Sequence, residues 1–120
     1  MLFDLHVTER GAWTVVAPVG ELDLASAPRL RSEILGVLGD GARHVVVDLA
    51  GVDFLDSLGA GLLVAVRKRV CGLGGVLRLC RPEPHVARVL ALAGVDQVVD
   101  VFATVDEAVG PVDDTVVAAR

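Results

Sequence analysis

Residues 44–63, HVVVDLAGVDFLDSLGAGLL, decide how the chain is read. His44 to Leu49 is an apolar, β-branched run without alternation, the pattern of a strand covered on both faces. A loop, AGVDFLD (50–56), follows it. From about Ser57 to Val70 the spacing predicts a helix with Leu58, Leu62, Val66 and Val70 along one face, ended by Gly72-Leu73-Gly74-Gly75. A strand that feeds a helix through a short loop is half of a crossover unit and implies a parallel neighbour. Within this stretch Asp56-Ser57 is a polar pair in apolar surroundings, and such a pair is costly unless it caps something or is exposed for a purpose. By residue type Ser57 reads as the cap of the following helix.

Working outward, VLRLC (76–80) predicts another strand, and RPEPHVARVLALAG (81–94) a helix with prolines at its entrance and Gly94 at its exit. Its core face is Val86, Val89, Leu90 and Ala93. A strand near 98–102 and a short helix near 104–109 complete the C-terminal half. Upstream, LFDLHV (2–7) and WTVVAPV (13–19) read as a hairpin turning through Glu9-Arg10-Gly11. Pro18 lacks an amide donor, which puts its strand at an edge or beside a bulge. After GELD (20–23), Ser26 and Pro28 open a helix that carries Leu30, Ile34 and Leu38 until Gly39-Asp40-Gly41. The expectation is one α/β domain over 1–110, with a mixed, mostly parallel sheet, an N-terminal hairpin and about four helices. Residues 111–120, PVDDTVVAAR, read as a loosely held tail.

A chain of 120 residues fits one core. Its mean hydropathy is +0.62, yet no apolar run approaches the roughly 20 residues of a membrane span. The start, MLFDLHVTER, lacks the pattern of a secretory leader, so a cytoplasmic protein is expected. Net charge of -5 argues against a dedicated nucleic-acid binder, and Arg67-Lys68-Arg69 reads as the solvated C-terminal end of a helix. Cys71 and Cys80 have neither ligand nor redox spacing. No metal is expected, because no His or Cys joins Asp48, Asp53 and Asp56 at ligand spacing. No cofactor is expected either: DSLGAG lacks both the P-loop ending and the dinucleotide pattern. An enzyme is not expected, since GxSxG is absent and no pattern brings His6, His44 or His85 to Ser57.

GELD at 20–23, HVVVDL at 44–49, DFLDSLGAGLL at 53–63 and LGG at 73–75 together resemble the STAS domain, in particular the free-standing bacterial anti-sigma-factor antagonists. The resemblance covers about residues 3–109, and its specific element is Asp-Ser-x-Gly-x-Gly before an apolar helix. It implies that Ser57 is phosphorylated by an anti-sigma factor that is itself a serine kinase. The unphosphorylated chain would bind that kinase and free a sigma factor, and a serine phosphatase would reset it. The partner surface implied is Glu21, Asp23, Asp56, Ser57, Leu58, Gly59 and Gly61. Leu58 departs from the pattern, which usually has a small residue there, and this bears on partner choice. The alternative within the same resemblance is a noncatalytic docking module of a lipid-transport or stress-sensing assembly. From the residues alone, Ser57 as a plain helix cap, Asp56 as a turn former and Gly59 and Gly61 as packing glycines stay open beside these roles.

Overall fold

The computed structural model describes residues 3–112. Strand β1 (Asp4–Arg10) and strand β2 (Trp13–Leu22) form the N-terminal antiparallel hairpin. They are followed by α1 (Ala27–Gly39), β3 (His44–Asp48), β4 (Val52–Leu55), α2 (Ser57–Gly72), β5 (Val76–Cys80), α3 (Pro84–Leu92), β6 (Val101–Phe102) and α4 (Val105–Ala108). The sheet runs β1-β2-β3-β5-β6, every pair after the hairpin being parallel, and β4 pairs with the C-terminal part of β2. This is the expected α/β domain with its hairpin and four helices.

The unbroken apolar run of β3 has a direct explanation. Val45 and Val47 face the main core beneath α1, α2 and α3, whereas Val46 faces a smaller cluster with Trp13, Val15, Cys80 and Ala108 on the side of α4. Side chains alternate along a strand, so both faces of β3 must be apolar.

Several expectations shift. The hairpin strands are longer than 2–7 and 13–19, and the turn is Gly11-Ala12 because Arg10 still pairs with Trp13; Leu2 lies outside the described residues. Of the two places expected for Pro18, an edge or beside a bulge, the structure gives the second, since β2 has β1 on one side and β3 and β4 on the other. Bonded and unbonded pairs alternate in an antiparallel ladder. Counting from the bonded Arg10–Trp13 pair, Leu5–Pro18 is unbonded, so the proline nitrogen faces away from β1. There it meets the gap between the β3 pairing at Thr14–Val16 and the β4 pairing at Gly20–Leu22, next to a register shift at Gly20/Glu21. Residues 52–55, read as loop, form β4. The strand expected at 98–102 shrinks to Val101–Phe102, because Val95–Gln97 is a single 3-10 turn. Ala93 is exposed beyond the end of α3, while Val86 and Leu90 are buried.

Pro111, the first residue of the expected tail, is held to the sheet. Arg78, 7% exposed on β5, donates through Nη1 to the carbonyls of Ala108 and Gly110 and through Nη2 to that of Pro111, each at 3.0 Å. Its guanidinium also lies 4.7 Å from the Trp13 ring centre and 5.2 Å from that of Phe102. A cation between aromatic faces, bonded to the carbonyls that end a helix, replaces much of the hydration it lost. The rest of the tail, 113–120, lies outside the described residues. Asp48 closes β3 with a bidentate pair to Arg81, at 3.1 Å to Nε and 2.6 Å to Nη2.

Arg78→Met should cost at least about 2 kcal/mol in urea denaturation, because the buried Ala108 carbonyl and the half-buried Gly110 carbonyl lose their donor. Hydrogen exchange should quicken first in 105–112. Cys80 is fully buried, and that burial, reinforced by Asp48, pushes its thiol from 9.0 up to about 12. The neutral thiol therefore supports the fold fully below pH 9.0, and the support is lost as pH rises towards 12. Between pH 8 and 10 the wild type should lose stability more steeply than Cys80→Ala, by about 1 kcal/mol.

Candidate functional site

The C-terminal ends of β2 and β4 run side by side, with Glu21 opposite Phe54 and Leu22 opposite Leu55. Each strand then leads into a helix, β2 through Asp23–Ser26 into α1 and β4 through Asp56 into α2. GELD and DFLDS are thereby brought together at one corner of the sheet. In parallel α/β sheets the crevice beyond the carboxyl ends of strands is where ligands and partners are met.

The two turns are fixed by carboxylates. Asp23 Oδ1 accepts from the backbone N–H groups of Ala25 (2.9 Å) and Ser26 (3.2 Å). Ser26, at the cap position of α1, turns its hydroxyl back to β2, donating to the Glu21 carbonyl at 2.5 Å and accepting from Asp23 N–H at 3.0 Å. At α2 the cap is Asp56, with extended backbone and its Oδ1 accepting from Gly59 N–H at 2.9 Å. The expectation that Ser57 caps the helix is therefore corrected: it is the first helical residue. Its side chain is exposed, and among the described residues its hydroxyl has no hydrogen-bond partner. A residue one step inside the helix start cannot fold its hydroxyl back onto the N–H groups that Asp56 reaches.

The buried face of α2 also differs from the expected one. Gly59, Ala60, Leu63, Val66 and Val70 are buried, while Leu58 is 54% exposed and Leu62 half-buried. The cause is Gly59. A Cβ there would meet the Leu22 carbonyl oxygen at 2.5 Å and Leu55 Cδ1 at 2.7 Å, so the first turn of α2 presses backbone-close on β2 and β4. That contact rotates Leu58 outward. Gly61 is different, since a Cβ there would meet nothing within 4 Å. Close packing within the chain explains Gly59, and it does not explain Gly61.

Around Ser57 the surface is apolar, with Phe54 47%, Leu58 54% and Leu24 71% exposed. Leu24 escaped the sequence reading, although a leucine between the turn-forming Asp23 and Ser26 was a usable signal. Glu21 and Asp23 flank this patch from β2, both half-buried. The histidines are engaged elsewhere: His85 Nε2–H donates to the Asp53 carbonyl at 2.6 Å, His6 lies 3.7 Å from Asp4, and His44 stacks edgewise on Trp13. The arrangement presents an unengaged hydroxyl on an apolar rim, at the positive end of a helix dipole.

A sequence model of the STAS domain matches residues 4–108. The anti-sigma-B factor antagonist of Bacillus subtilis is 32% identical over 84 residues, spanning 70% of this chain and 76% of that protein. An anti-sigma factor antagonist from Mycobacterium paratuberculosis has a similar crystal structure, with a TM-score of 0.81 at 29% identity over 89% of this chain and 91% of that one. The antagonist SpoIIAA is similar in its unphosphorylated form, with a TM-score of 0.73 at 26% identity over 93% of this chain and 100% of that one. The Bacillus SpoIIAA in the phosphorylated form gives 0.66 at 26% identity over 96% and 99%.

The two serine-corner residues separate by their effect on folding. Asp56→Ala should cost about 1 kcal/mol through loss of the cap, whereas Ser57→Ala should stay within about 0.5 kcal/mol of wild type. Gly59→Ala should destabilise by about 1–3 kcal/mol through overpacking, and Gly61→Ala should stabilise by up to about 1 kcal/mol. Chemical denaturation of the four variants checks all of these.

Proposed function

Since the chain belongs to the STAS-domain family, we propose that it is an anti-sigma-factor antagonist switched by phosphorylation of Ser57. The unphosphorylated protein binds an anti-sigma factor with serine-kinase activity and so frees a sigma factor. Transfer of phosphate from ATP to the Ser57 hydroxyl ends that binding, and a serine phosphatase restores it. In this reading the chain is a substrate and a binding partner, with no catalysis of its own. Glu21, Asp23, Asp56, Leu58 and Gly61 form the contact surface around Ser57, and Gly59 sets its position by packing.

The observation that carries this reading is the state of the Ser57 hydroxyl: exposed at the start of α2, with the capping role already taken by Asp56. A phosphate can be added without breaking an internal hydrogen bond. The helix N-terminus accommodates the anion, so the fold survives. The surface changes much more, since phosphate adds about -1.5 to -2 charge next to Asp56 and the exposed Leu58. A partner that packs on the apolar rim would have to desolvate a dianion. That SpoIIAA has been solved in both phosphorylated and unphosphorylated forms supports the same reading.

The kinase can be found by transfer of phosphate from ATP to the wild-type chain but not to Ser57→Ala. Titration calorimetry against it should give tight binding by Ser57→Ala and binding weaker by at least about 10-fold, or 1.4 kcal/mol, for Ser57→Glu. Equal affinity of the two variants, both folded, contradicts the switch.

A further inference from the structure

The groove between α1 and α2 starts beside Ser57 and changes character along its length. Near the serine it is an apolar hollow of about 480 Å³, with Leu24, Pro28, Leu58, Leu62 and Ala65 in its walls. Past Arg31 and Ala65, which line both parts, it continues as a hollow of about 320 Å³ bounded by Leu35, Val66, Lys68 and Arg69. On α2 the lining positions 58, 61, 62, 65, 66, 68 and 69 fall at helical spacings of three and four residues from 58, 62 and 65, so they form one stripe. From Leu58 to Arg69 that stripe is about 17 Å long.

The cations at its far end are set apart by their convergence. Net charge is -5, and Arg10 is engaged with Asp106, Arg81 with Asp48, and Arg29 and Arg43 with backbone carbonyls, while Arg67 and Arg88, also without an ion pair or hydrogen bond among the described residues, line neither hollow. Among the described residues Arg31, Lys68 and Arg69 make no ion pair or hydrogen bond, yet they line one hollow. The helix dipole accounts for Lys68 and Arg69 near the end of α2. It gives Arg31 no help, because Arg31 lies in the N-terminal half of α1, where the dipole favours anions. Like charges facing one hollow repel unless an anion lies between them.

We infer that this groove docks an acidic, amphipathic segment of a partner protein, with apolar side chains against Leu24 and Leu58 and carboxylates on Arg31, Lys68 and Arg69. Charge complementarity and continuity with the Ser57 rim select this occupant. A nucleic-acid strand has no use for the apolar half, and a flat lipid surface cannot follow a groove between two helices. Identifying the partner as the anti-sigma factor rests on the function proposed above; the groove itself does not depend on phosphorylation of Ser57. Gly61 lies in the apolar hollow with open space at its Cβ position, which leaves room for a close approach by the incoming segment.

The probe is a short synthetic helical peptide with leucines at one end and glutamates at the other, titrated into the full 15N-labelled chain. Its counterpart carries lysines in place of the glutamates. The expected result is amide shifts concentrated in 24–35 and 58–69 for the glutamate peptide, weakening as salt is raised. Lys68→Glu with Arg69→Glu should reduce that affinity by at least about 5-fold in a chain that stays folded, its melting temperature lowered only by the cost of acids at the helix C-terminus. Shifts absent from the groove, equal response to both peptides, or binding only to vesicles of phosphatidylcholine and phosphatidylserine overturns the proposal. Loss of the peptide response with a working Ser57 switch removes the groove alone. An intact peptide response with equal partner binding by the Ser57 variants removes the switch alone.

Discussion

The carboxylate of Asp56 accepts the Gly59 N–H at 2.9 Å, and the position of everything around Ser57 follows from that bond. It starts α2 one residue before the serine. At the donor end of that bond, the missing side chain of Gly59 lets the first turn of the helix press onto β2 beside the Leu22 carbonyl. With the helix set at that depth, Ala60 and Leu63 enter the core and Leu58 is turned out. The same bond releases the serine hydroxyl from the structural duty that its residue type suggests. Had Ser57 been the cap, a phosphate on it would have removed the hydrogen bond that starts the helix. With Asp56 in that role, a charge can be added at the surface with little consequence beneath it.

The sheet places this corner where a partner can reach it. β2 serves two neighbours in succession, β3 along Thr14–Val16 and β4 along Gly20–Leu22, and Pro18 sits in the changeover. From the paired ends of β2 and β4, α1 and α2 leave side by side, so the groove between them is continuous with the serine corner. The opposite face of the sheet is closed by α4, which Arg78 fastens through three carbonyls. One face is thus a fastened support, and the other holds an exposed apolar rim on a charged protein.

Much of this was legible in the sequence, and what escaped has physical reasons. The bounds of β3, β5 and α1 and the core set Leu30, Ile34 and Leu38 follow from periodicity, because long buried elements leave strong patterns. β4 did not, because four residues with an acid in the middle carry no alternation. The buried face of α2 follows the expected line at Val66 and Val70 and departs from it in the first turns, where the packing runs through Gly59 and Ala60, whose smallness allows the close contact and leaves no hydrophobic signal. Ser57 and Asp56 are both good caps, and residue type alone does not choose between them. The serine corner stood out through the resemblance of DFLDSLGAGLL; of the basic half of the groove only the run Arg67-Lys68-Arg69 is visible in the sequence, because Arg31 joins it from another helix.

The most direct test of the account is a comparison of the protein carrying phosphoserine at position 57, installed during translation, with the unmodified chain. Thermal melting and backbone amide NMR spectra are the measurements. A surface switch keeps melting within about 4 °C, corresponding to less than about 1 kcal/mol, with shift changes confined to the neighbourhood of 21–24 and 54–62. A large drop in melting temperature, or changes spread through β3, β5 and α3, would contradict it, because phosphorylation would then act by loosening the fold and not by altering its surface.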